Sequence, residues 1–402
     1  MALLKTEVAV VGGGPAGLTA AVALARAGVS TVLVSKRPPQ DDHRTTALLL
    51  GSVTALAALD VWPACRTKAA ALRRMRIVDD TARLLRSSEI TFDAGEIGLD
   101  AFGYNMQNRD LVAALDDAAR SLGESLVRIE SGARAVSAGD GGVDVVLDNG
   151  DAISARLVIG ADGRRSLCRA AAGIESDADT YPQTALTFNL AHSRPHQDIS
   201  TEFHTPHGPF TLVPLPGQRS SLVFVTDQAQ AETIASLDNA SLAEELERRA
   251  HSILGKFTID PGRGVFPLAR ETARRFASSR IALIGEAAHV LPPIGAQGLN
   301  LGLRDAATVA EIVVDARRAG EDAGEDAVLE RYDRLRRADV SSRAMAVDVL
   351  NRTLLSGFLP LQGARHLSFM MLQKIGPLRR AVMREGVAPA LSQPRLMRGE
   401  AL

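Results

Sequence analysis

The sequence has few cysteines, almost no net charge and no long apolar run, and each shortage excludes a class of protein. Its 402 residues include only two cysteines, Cys65 and Cys168, which is too few for a disulfide framework and fits a reducing compartment. With 46 Lys and Arg against 47 Asp and Glu, the chain lacks the basic excess of a general nucleic-acid binder. A hydrophobic content of 46 % argues against disorder, and the length predicts two or three domains.

No segment for targeting or for crossing a membrane is visible. Apolar runs of about 18 residues are missing, and the start of the chain has no apolar stretch behind a basic segment, so we expect a cytoplasmic protein. The charge is nevertheless uneven. Residues 351–402 carry eight basic and two acidic side chains, a net of +6, whereas the rest carries 38 and 45, a net of −7. A basic end of this kind is typical of surface binding.

The first motif lies at the N-terminus. An apolar run over residues 7–11 predicts a buried strand, a helical run extends from Leu18 to Ala27, and residues 31–34 predict a second strand. Residues 12–17, Gly-Gly-Gly-Pro-Ala-Gly, stand between the first strand and the helix with the Gly-x-Gly-x-x-Gly spacing of a dinucleotide-binding turn. Such a turn brings backbone N–H groups to a pyrophosphate. The cofactor-binding residues predicted here are Gly12, Gly14, Pro15, Ala16 and Gly17.

The end of the second strand departs from that pattern. The position that normally carries Asp or Glu to hold a ribose is Ser35, a weaker hydrogen-bonding group. Lys36 and Arg37 follow, and their charges leave open a 2′-phosphate and hence NADP. The motifs further along the chain favour FAD instead.

Two later segments each place a polar turn after a buried strand. Residues 156–166 read as a strand that ends in Asp162-Gly163, and residues 280–289 read as a strand that ends near Glu286. The second is followed by two prolines, two glycines and a helix that starts near Leu299. Ligands bind at the carboxyl ends of strands in open α/β sheets, and a helix N-terminus stabilises the negative charge of a reduced flavin by roughly 0.3–2 kcal/mol. Taken singly, each turn also fits a purely structural role.

In this order and at these separations, the three segments resemble the class A flavoprotein aromatic hydroxylases, typified by para-hydroxybenzoate hydroxylase. The stretch from Pro292 to Asp305 is most similar to the ubiquinone-biosynthesis hydroxylases, and so are Arg44 to Leu48 and Gln107 to Leu111. The resemblance implies FAD as the cofactor, NAD(P)H as the electron donor, O2 as a co-substrate and a polyprenylated phenol as the substrate. The alternatives are a non-catalytic flavin-binding scaffold, a flavoprotein that oxidises or reduces lipid without inserting oxygen, and a hydroxylase of another small aromatic compound.

The resemblance also implies roles for matching positions. Asp162 and Gly163 would help to bind FAD and the electron donor, and Glu286 would contact the ribityl chain where the family usually has Asp. Arg44 and Gln107 would contact the phosphates or the ribityl chain. The residues expected around the pyrimidine edge of the flavin are Gly295, Ala296, Gln297, Gly298, Leu299 and Asn300.

Two prolines and a histidine form the predicted catalytic set. Pro292 and Pro293 would line the flavin ring beside the substrate. His289 is the third member, although a packed and hydrogen-bonded histidine is the commoner case. Ser35 and Lys36 complete the predicted cofactor-binding set.

The middle of the chain changes character. Apolar runs over residues 184–190, 210–215 and 220–225 read as strands of an antiparallel sheet that covers the substrate, and Ser241 to Leu254 reads as a helix. We therefore predict an α/β protein, in which a Rossmann-like FAD-binding domain carries an inserted antiparallel-sheet substrate domain and a C-terminal helical segment. The predicted boundaries are 1–70, 99–175 and 269–350 for the FAD-binding domain, 71–98 and 176–268 for the substrate domain, and 351–402 for the C-terminal segment.

Four histidines of the middle region lie close together in the sequence. They are His192, His196, His204 and His207, and Pro195 and Pro206 prevent them from sharing one helix face. We therefore expect no metal site.

The C-terminal segment alternates apolar and basic residues. The apolar ones include Phe358, Leu359, Leu361, Leu367 and Phe369. This pattern predicts short helices that pack on the flavin domain, that rest on the inner face of the cytoplasmic membrane, or that do both. The resemblance adds other ubiquinone-biosynthesis proteins as partners.

Overall fold

Helices and strands alternate along most of the chain in this structure, a computed structural model that describes residues 3–37, 41–81, 89–293, 295–355, 370–387 and 393–402. The helices are α1 (Pro15–Arg26), α2 (Leu50–Ala58), α3 (Trp62–Arg66), α4 (Asn108–Ser121), α5 (Leu167–Ala171), α6 (Gln228–Ser236), α7 (Asn239–Arg249), α8 (Gln297–Ala319), α9 (Asp326–Leu355) and α10 (Gly376–Val387). The strands are β1 (Leu3–Val11), β2 (Thr31–Ser35), β3 (Thr45–Leu49), β4 (Ala70–Ala71), β5 (Arg74–Asp79), β6 (Ile90–Asp93), β7 (Gly103–Gln107), β8 (Leu126–Glu130), β9 (Ala133–Gly139), β10 (Gly142–Leu147), β11 (Ala152–Gly160), β12 (Ser176–His192), β13 (Ile199–His204), β14 (Pro209–Leu215), β15 (Arg219–Asp227), β16 (Phe257–Ala273), β17 (Ala277–Ser278), β18 (Ile281–Leu283) and β19 (His289–Val290).

The first sheet contains the dinucleotide-binding unit. Its strands run in the order β17-β18-β11-β1-β2-β8, and β10 and β9 continue from β11 as an antiparallel meander. The central pairs are parallel, with Val8 opposite both Thr31 of β2 and Leu157 of β11. Residues 8–11 of β1 are buried, as expected for a strand covered by helices on both faces. The predicted Rossmann-like core is confirmed.

Helix α1 starts three residues earlier than the sequence predicted. Pro15 occupies its first turn, where the missing N–H is not needed and the fixed φ suits a helix. The buried residues of α1 are small or aliphatic, from Gly17 to Ala25, so the helix packs closely against the sheet. Its N-terminus therefore points at the edge where β1 ends.

The second sheet has the strand order β19-β16-β12-β15-β14-β13-β5-β6. Its pairs are antiparallel, as predicted, except that β13 runs parallel to β5, with Ile199 opposite Arg74. No hairpin joins β5 to β13, so turn geometry does not impose an antiparallel direction on this pair. The sheet extends past residue 268, because β16 continues to Ala273 and β19 pairs with it.

Helix α7 covers the outer face of the second sheet and ends before the predicted Leu254. Asp238 caps its start by accepting hydrogen bonds from the N–H groups of Ala240 and Ser241. His251 and Ser252 have φ values of 49° and 51°, so the backbone leaves the right-handed helical region there. Aromatic residues of the sheet, among them Phe210 and Phe224, form a second core with this helix.

Helix α8 packs against α1, α9 and β3. It is 23 residues long and is buried along much of its length against α1 and α9. A three-stranded sheet, β3-β7-β4, lies beside its start. Among the described residues, no helix is long and apolar enough to cross a bilayer.

Candidate active site

A cavity of about 710 Å³ opens where β1, β2 and β11 end. Seven of the predicted site residues line it: Gly12, Gly14, Pro15, Ser35, Lys36, Arg44 and Asp162. The other fourteen predicted positions are not among the residues that line this cavity: Ala16, Gly17, Gln107, Gly163, Glu286, His289, Pro292, Pro293, Gly295, Ala296, Gln297, Gly298, Leu299 and Asn300. The structure thus brings the first motif, Arg44 and the Asp-Gly turn to one cavity and leaves the third motif beside it.

The three glycines of the first motif serve different purposes. A β-carbon on Gly12, whose φ is +121°, would lie 2.1 Å from the carbonyl oxygen of Ala161. A β-carbon on Gly17 would lie 2.0 Å from the carbonyl oxygen of Gly12, so helix and turn can approach only without side chains. A β-carbon on Gly14 would meet nothing within 4 Å. Gly12 and Gly17 therefore shape the turn, whereas Gly14 leaves room at the cavity.

A bidentate ion pair stands at the wall of the cavity. Arg44 donates from Nε and Nη2 to the two carboxylate oxygens of Asp42, each at 2.9 Å. Burial acts to raise the pKa of Asp42, but the hydrogen bonds and charge of Arg44 outweigh it and hold that pKa below its usual value. The pKa of Arg44 is raised, chiefly by its hydrogen bond to Asp42. The pair orients the guanidinium of Arg44 at the wall of the cavity.

Two side-chain oxygens near the cavity are buried without a partner. They are Oε1 of Gln107 and Oδ1 of Asn108, at the junction of β7 and α4. Buried polar atoms normally have hydrogen-bond partners. Together with the space at Gly14 and the cation at Arg44, these acceptors fit a ligand that has hydroxyl groups and phosphates, as FAD does.

The Asp-Gly turn has a structural task as well. Oδ1 of Asp162 accepts a hydrogen bond from Ser166 Oγ at 2.5 Å, and Oδ2 accepts one from the Cys168 N–H at 3.1 Å. Gly163 has a φ of +78°, which favours glycine. Asp162 therefore lines the cavity while its carboxylate holds the start of α5.

The charges after β2 are paired at the surface. Lys36 lies 3.1 Å from Asp148, and Arg37 lies 3.4 Å from Glu130. Ser35 stands close behind the glycine turn, since a β-carbon on Gly13 would lie 2.5 Å from its Cβ. Both cations line the cavity, and both have carboxylate partners in the protein, as Arg44 does.

The third motif presents one carboxylate outward. Glu286 is exposed, whereas Gly285 and Ala287 on either side of it are buried. Its charge acts on Arg44, which places the two residues near each other. Pro292 is buried and Pro293 exposed in the loop that leads to α8.

Asn300 holds the start of α8 to its neighbours. Its Oδ1 accepts hydrogen bonds from the Leu49 N–H at 2.8 Å and from Ser52 Oγ at 2.7 Å. Its Nδ2 donates to the carbonyl oxygens of Ala47 at 2.8 Å and Ala296 at 2.6 Å. Both ends of the amide are occupied by protein atoms, so the Asn300 side chain has a structural role at the start of α8.

His289 is enclosed. Its side chain has no exposed surface, and Nε2 lies 2.6 Å from Oδ2 of the equally enclosed Asp305. The ring has no accessible surface through which to touch a substrate, so the geometry does not support the predicted catalytic role.

Several cavity residues were missed by the sequence analysis. Asp42, Asn108, Arg109 and Arg165 line the cavity but were not predicted. Asn108 and Arg109 directly follow the predicted Gln107, so the predicted site stopped two residues short in this motif. Asp42 lies in an irregular loop with no pattern to reveal it.

The four histidines of the middle region bond to different partners. His192 contacts the carbonyl oxygen of Arg194 at 2.7 Å and His196 that of Leu215 at 3.0 Å. His204 lies 2.8 Å from Glu202, and His207 lies 3.1 Å from Asp227. Across the part of the chain that the structure describes, no group of three His, Cys, Asp or Glu residues is arranged to hold a metal.

Comparison with known proteins agrees with this geometry. The family described as an FAD binding domain matches residues 5–347. A relative named ubiquinone hydroxylase UbiL, from Rhodospirillum rubrum, is 34% identical over 98% of this chain and 92% of its own. A relative named 3-demethoxyubiquinol 3-hydroxylase, from Escherichia coli, is 31% identical over 94% of this chain and 97% of its own.

A solved structure shows the same fold. The p-nitrophenol 4-monooxygenase PnpA from Pseudomonas putida superposes with a TM-score of 0.78 at 20% identity, covering 96% of this chain and 98% of its own. Since the family match spans most of the chain and the relatives align nearly end to end, FAD is the cofactor. The chain therefore belongs to the FAD-binding family of flavin-dependent aromatic-ring monooxygenases.

Proposed function

We propose that this protein hydroxylates the aromatic ring of a polyprenylated phenol in ubiquinone biosynthesis, with NAD(P)H as the electron donor. The observation that carries the proposal is the alignment, over nearly the whole chain, with relatives named as hydroxylases of ubiquinone and of a ubiquinol precursor. In the overall reaction a ring C–H becomes C–OH, one oxygen atom of O2 enters the ring, and the other leaves as water. Bound FAD supplies the electron transfer that activates O2.

The chain's own residues have four tasks in this proposal. The glycine turn and the N-terminus of α1 bind the pyrophosphate, assisted by the charge of Arg44. Glu286 faces the ribityl chain, and the two prolines before α8 line the ring. The second sheet covers the substrate and keeps water from the reacting carbon. Asp162 and Gly163 form the turn where the electron donor would approach.

The test is lipid analysis of a strain that lacks the gene. We expect a quinone precursor short of one ring hydroxyl to accumulate, and wild-type protein to restore the product. The Gly14→Glu variant should not restore it, because the new side chain has room to extend into the cavity and places a negative charge where the pyrophosphate binds.

The controls separate the alternatives. Restoration by Gly14→Glu, with FAD binding abolished and protein levels intact, would favour a scaffold of a biosynthetic complex. Isotopically labelled O2 separates hydroxylation from lipid oxidation or reduction, because the label enters the product only in the first. An unchanged lipid profile in the deletion strain would point to a different small aromatic substrate.

We also infer that the C-terminal segment rests on the anionic inner face of the cytoplasmic membrane. Helix α10 and the helical turns before it carry four exposed apolar side chains at spacings of four, three and four: Met371, Ile375, Leu378 and Val382. Hydrogen bonds from the Ile375 N–H to Met371 and from the Arg379 N–H to Ile375 keep the helical path continuous. The four side chains therefore lie on one face.

The adjacent face of the same helix packs on the body of the protein. Met383 is buried beside Ala94 and Phe102, and Arg379 forms an ion pair with Glu96 at 2.5 Å. Residues 370–387 contain four basic residues and one acidic residue, so the outward apolar face lies in a segment of net charge +3. Apolar and basic groups together are complementary to an anionic lipid surface.

Not all of the predicted C-terminal surface takes this role. Phe358, Leu359, Leu361, Leu367 and Phe369 lie outside the described residues. Arg395 instead pairs with Glu311 and Asp315 of α8, and Leu396 and Met397 are buried. We propose that docking uses residues 370–387, whose exposed face is also available to other proteins of the same pathway.

A further inference from the structure

A buried carboxylate on α8 collects contacts from three other parts of the chain. Asp305 has no exposed side-chain surface. Its Oδ2 accepts a hydrogen bond from the Gly285 N–H at 2.9 Å and lies 2.6 Å from His289 Nε2. Its Oδ1 accepts a hydrogen bond from Arg336 Nε at 2.6 Å. One side chain thus connects α8, α9 and both ends of the turn that contains Glu286.

The histidine of this cluster has one free ring atom. Nδ1 of His289 is buried without a hydrogen-bond partner, while the ring of Phe276 lies 6.2 Å away between centroids. A buried polar atom left unpaired costs free energy. The contact between Nε2 and Asp305 is therefore the polar contact that orients the ring. By orienting the ring it also fixes the backbone at the His289 end of the turn.

Helix α9 anchors the carboxylate from behind. Arg336 is almost fully buried and donates from Nη1 to Asp339 at 2.6 Å as well as to Asp305. Asp339 in turn accepts a hydrogen bond from Arg343 at 3.1 Å, and Arg343 reaches Gln297 at the start of α8 at 3.2 Å. Burial acts to raise the pKa of Asp305, but the surrounding positive groups and hydrogen bonds hold it below its ordinary value, so the carboxylate stays charged.

The turn held by this cluster has one outward side chain. Gly285 has a φ of +59°, and Gly285, Ala287 and Ala288 are buried, whereas Glu286 is exposed. Fixing Gly285 at one end and His289 at the other leaves the direction of Glu286 little freedom.

We propose that Asp305 and His289 are positioning residues that hold the turn 285–287 so that Glu286 faces bound FAD. The inference rests on the role of Glu286 given under the proposed function. It adds that a buried pair, without touching the cofactor, determines whether the Glu286 carboxylate is directed at FAD.

The test is a double-mutant cycle measured by FAD binding to apoprotein, with Asp305→Asn, Glu286→Gln and the double variant. Loss of the charged contact predicts a rise in Kd of about tenfold for Asp305→Asn when Glu286 is present. In the Glu286→Gln background the same change should raise Kd by less than about twofold, because the carboxylate that is being positioned is no longer there. An equal loss in both backgrounds would overturn the proposal.

A second pair of variants decides the matter if Asp305→Asn fails to fold. His289→Gln keeps an N–H group near the position of Nε2, whereas His289→Leu does not. We expect His289→Gln to bind FAD within about threefold of wild type and His289→Leu to bind about tenfold more weakly, again only when Glu286 is present. Equal Kd values for the two variants would contradict the proposal. Because the readout is FAD affinity, it stands or falls separately from the identity of the substrate.

Discussion

Arg44 and Asp42 form a two-point hydrogen-bonded pair at the wall of the cavity, with both N–O distances at 2.9 Å. The arginine is therefore oriented before any ligand binds. A cation fixed in this way loses less conformational freedom on binding a phosphate than a mobile one.

Arg44→Gln should weaken FAD binding. Removing a charged hydrogen-bond donor from a phosphate site predicts a rise in Kd of roughly 10- to 100-fold. Flavin fluorescence quenching during titration of apoprotein measures it. Arg248→Gln is the matched control, since Arg248 pairs with Glu245 on the exposed side of α7, and it should leave the Kd unchanged. Unaltered affinity in Arg44→Gln would exclude the phosphate role.

Gly17→Ala should lower stability while Gly14→Ala does not. A β-carbon on Gly17 would lie 2.0 Å from a backbone oxygen, so the turn and α1 must separate, whereas one on Gly14 meets nothing within 4 Å. We expect Gly17→Ala to reduce the free energy of unfolding by about 1–3 kcal/mol. Denaturant unfolding of the apoproteins checks this. Equal stability of the two variants would show that the close approach is not a constraint.

Removing the exposed apolar side chains of residues 375–382 should weaken vesicle binding. The triple variant Ile375→Ser, Leu378→Ser and Val382→Ser should bind vesicles containing phosphatidylglycerol roughly 10- to 100-fold more weakly than wild type, because apolar surface no longer enters the lipid. Co-sedimentation measures the bound fraction. A second triple variant, Met75→Ser, Val127→Ser and Val265→Ser, removes equally exposed apolar groups elsewhere and should bind normally. If neither triple variant loses binding while both still bind FAD, the docking surface is wrong.

Asp322→Asn should destabilise the protein at neutral pH but not in acid. Burial acts to raise the pKa of Asp322, but hydrogen bonds from the Gly324 N–H and from Arg280 lower it below the ordinary value of 3.8. The stabilisation from its charge is therefore complete above the unfolded pKa and is lost as the pH falls through the folded one. We expect a loss of about 1 kcal/mol at pH 7 that disappears as the carboxyl is protonated.

Urea unfolding at several pH values measures this difference. Asp60→Asn serves as the control, because Asp60 pairs with Arg26 at 2.8 Å while remaining three-quarters exposed. Its stability should match wild type throughout. A difference for Asp322→Asn that persists in strong acid would show that the charge is not its cause.

Local patterns were sufficient for the parts of the fold that local chemistry determines. The apolar run before Gly12, the small residues of α1 and the Pro-Gly turns of the second sheet predicted elements that the structure contains, although β1 begins four residues and β12 eight residues before the predicted strands. Boundaries failed where a single residue decided them, as at Pro15 and His251. The parallel pairing of β5 with β13 joins strands over a hundred residues apart, so no local pattern reports it.

Of the continuous motifs, the first places residues at the cavity, whereas the predicted positions of the third are not among the lining residues. Contacts between distant segments were not predicted. Gly12 and Gly14 lie in one short segment, and both line the cavity. The contact of His289 with Asp305 could not be predicted, because no sequence pattern indicates that a histidine in a strand and an aspartate in a helix lie close together. The same holds for Asn300, whose amide is consumed by residues some 250 positions earlier.

The contacts of residues 393–402 with α8 limit how the C-terminal segment can move relative to the rest of the protein. With Arg395 paired to Glu311 and Asp315 and Met397 buried, residues 393–402 are fixed to the body of the protein. Helix α10 is fixed to it separately, through Met383 and through the ion pair of Arg379 with Glu96. A bilayer that binds the exposed face of α10 would therefore hold the whole enzyme at one height and one tilt above the lipid.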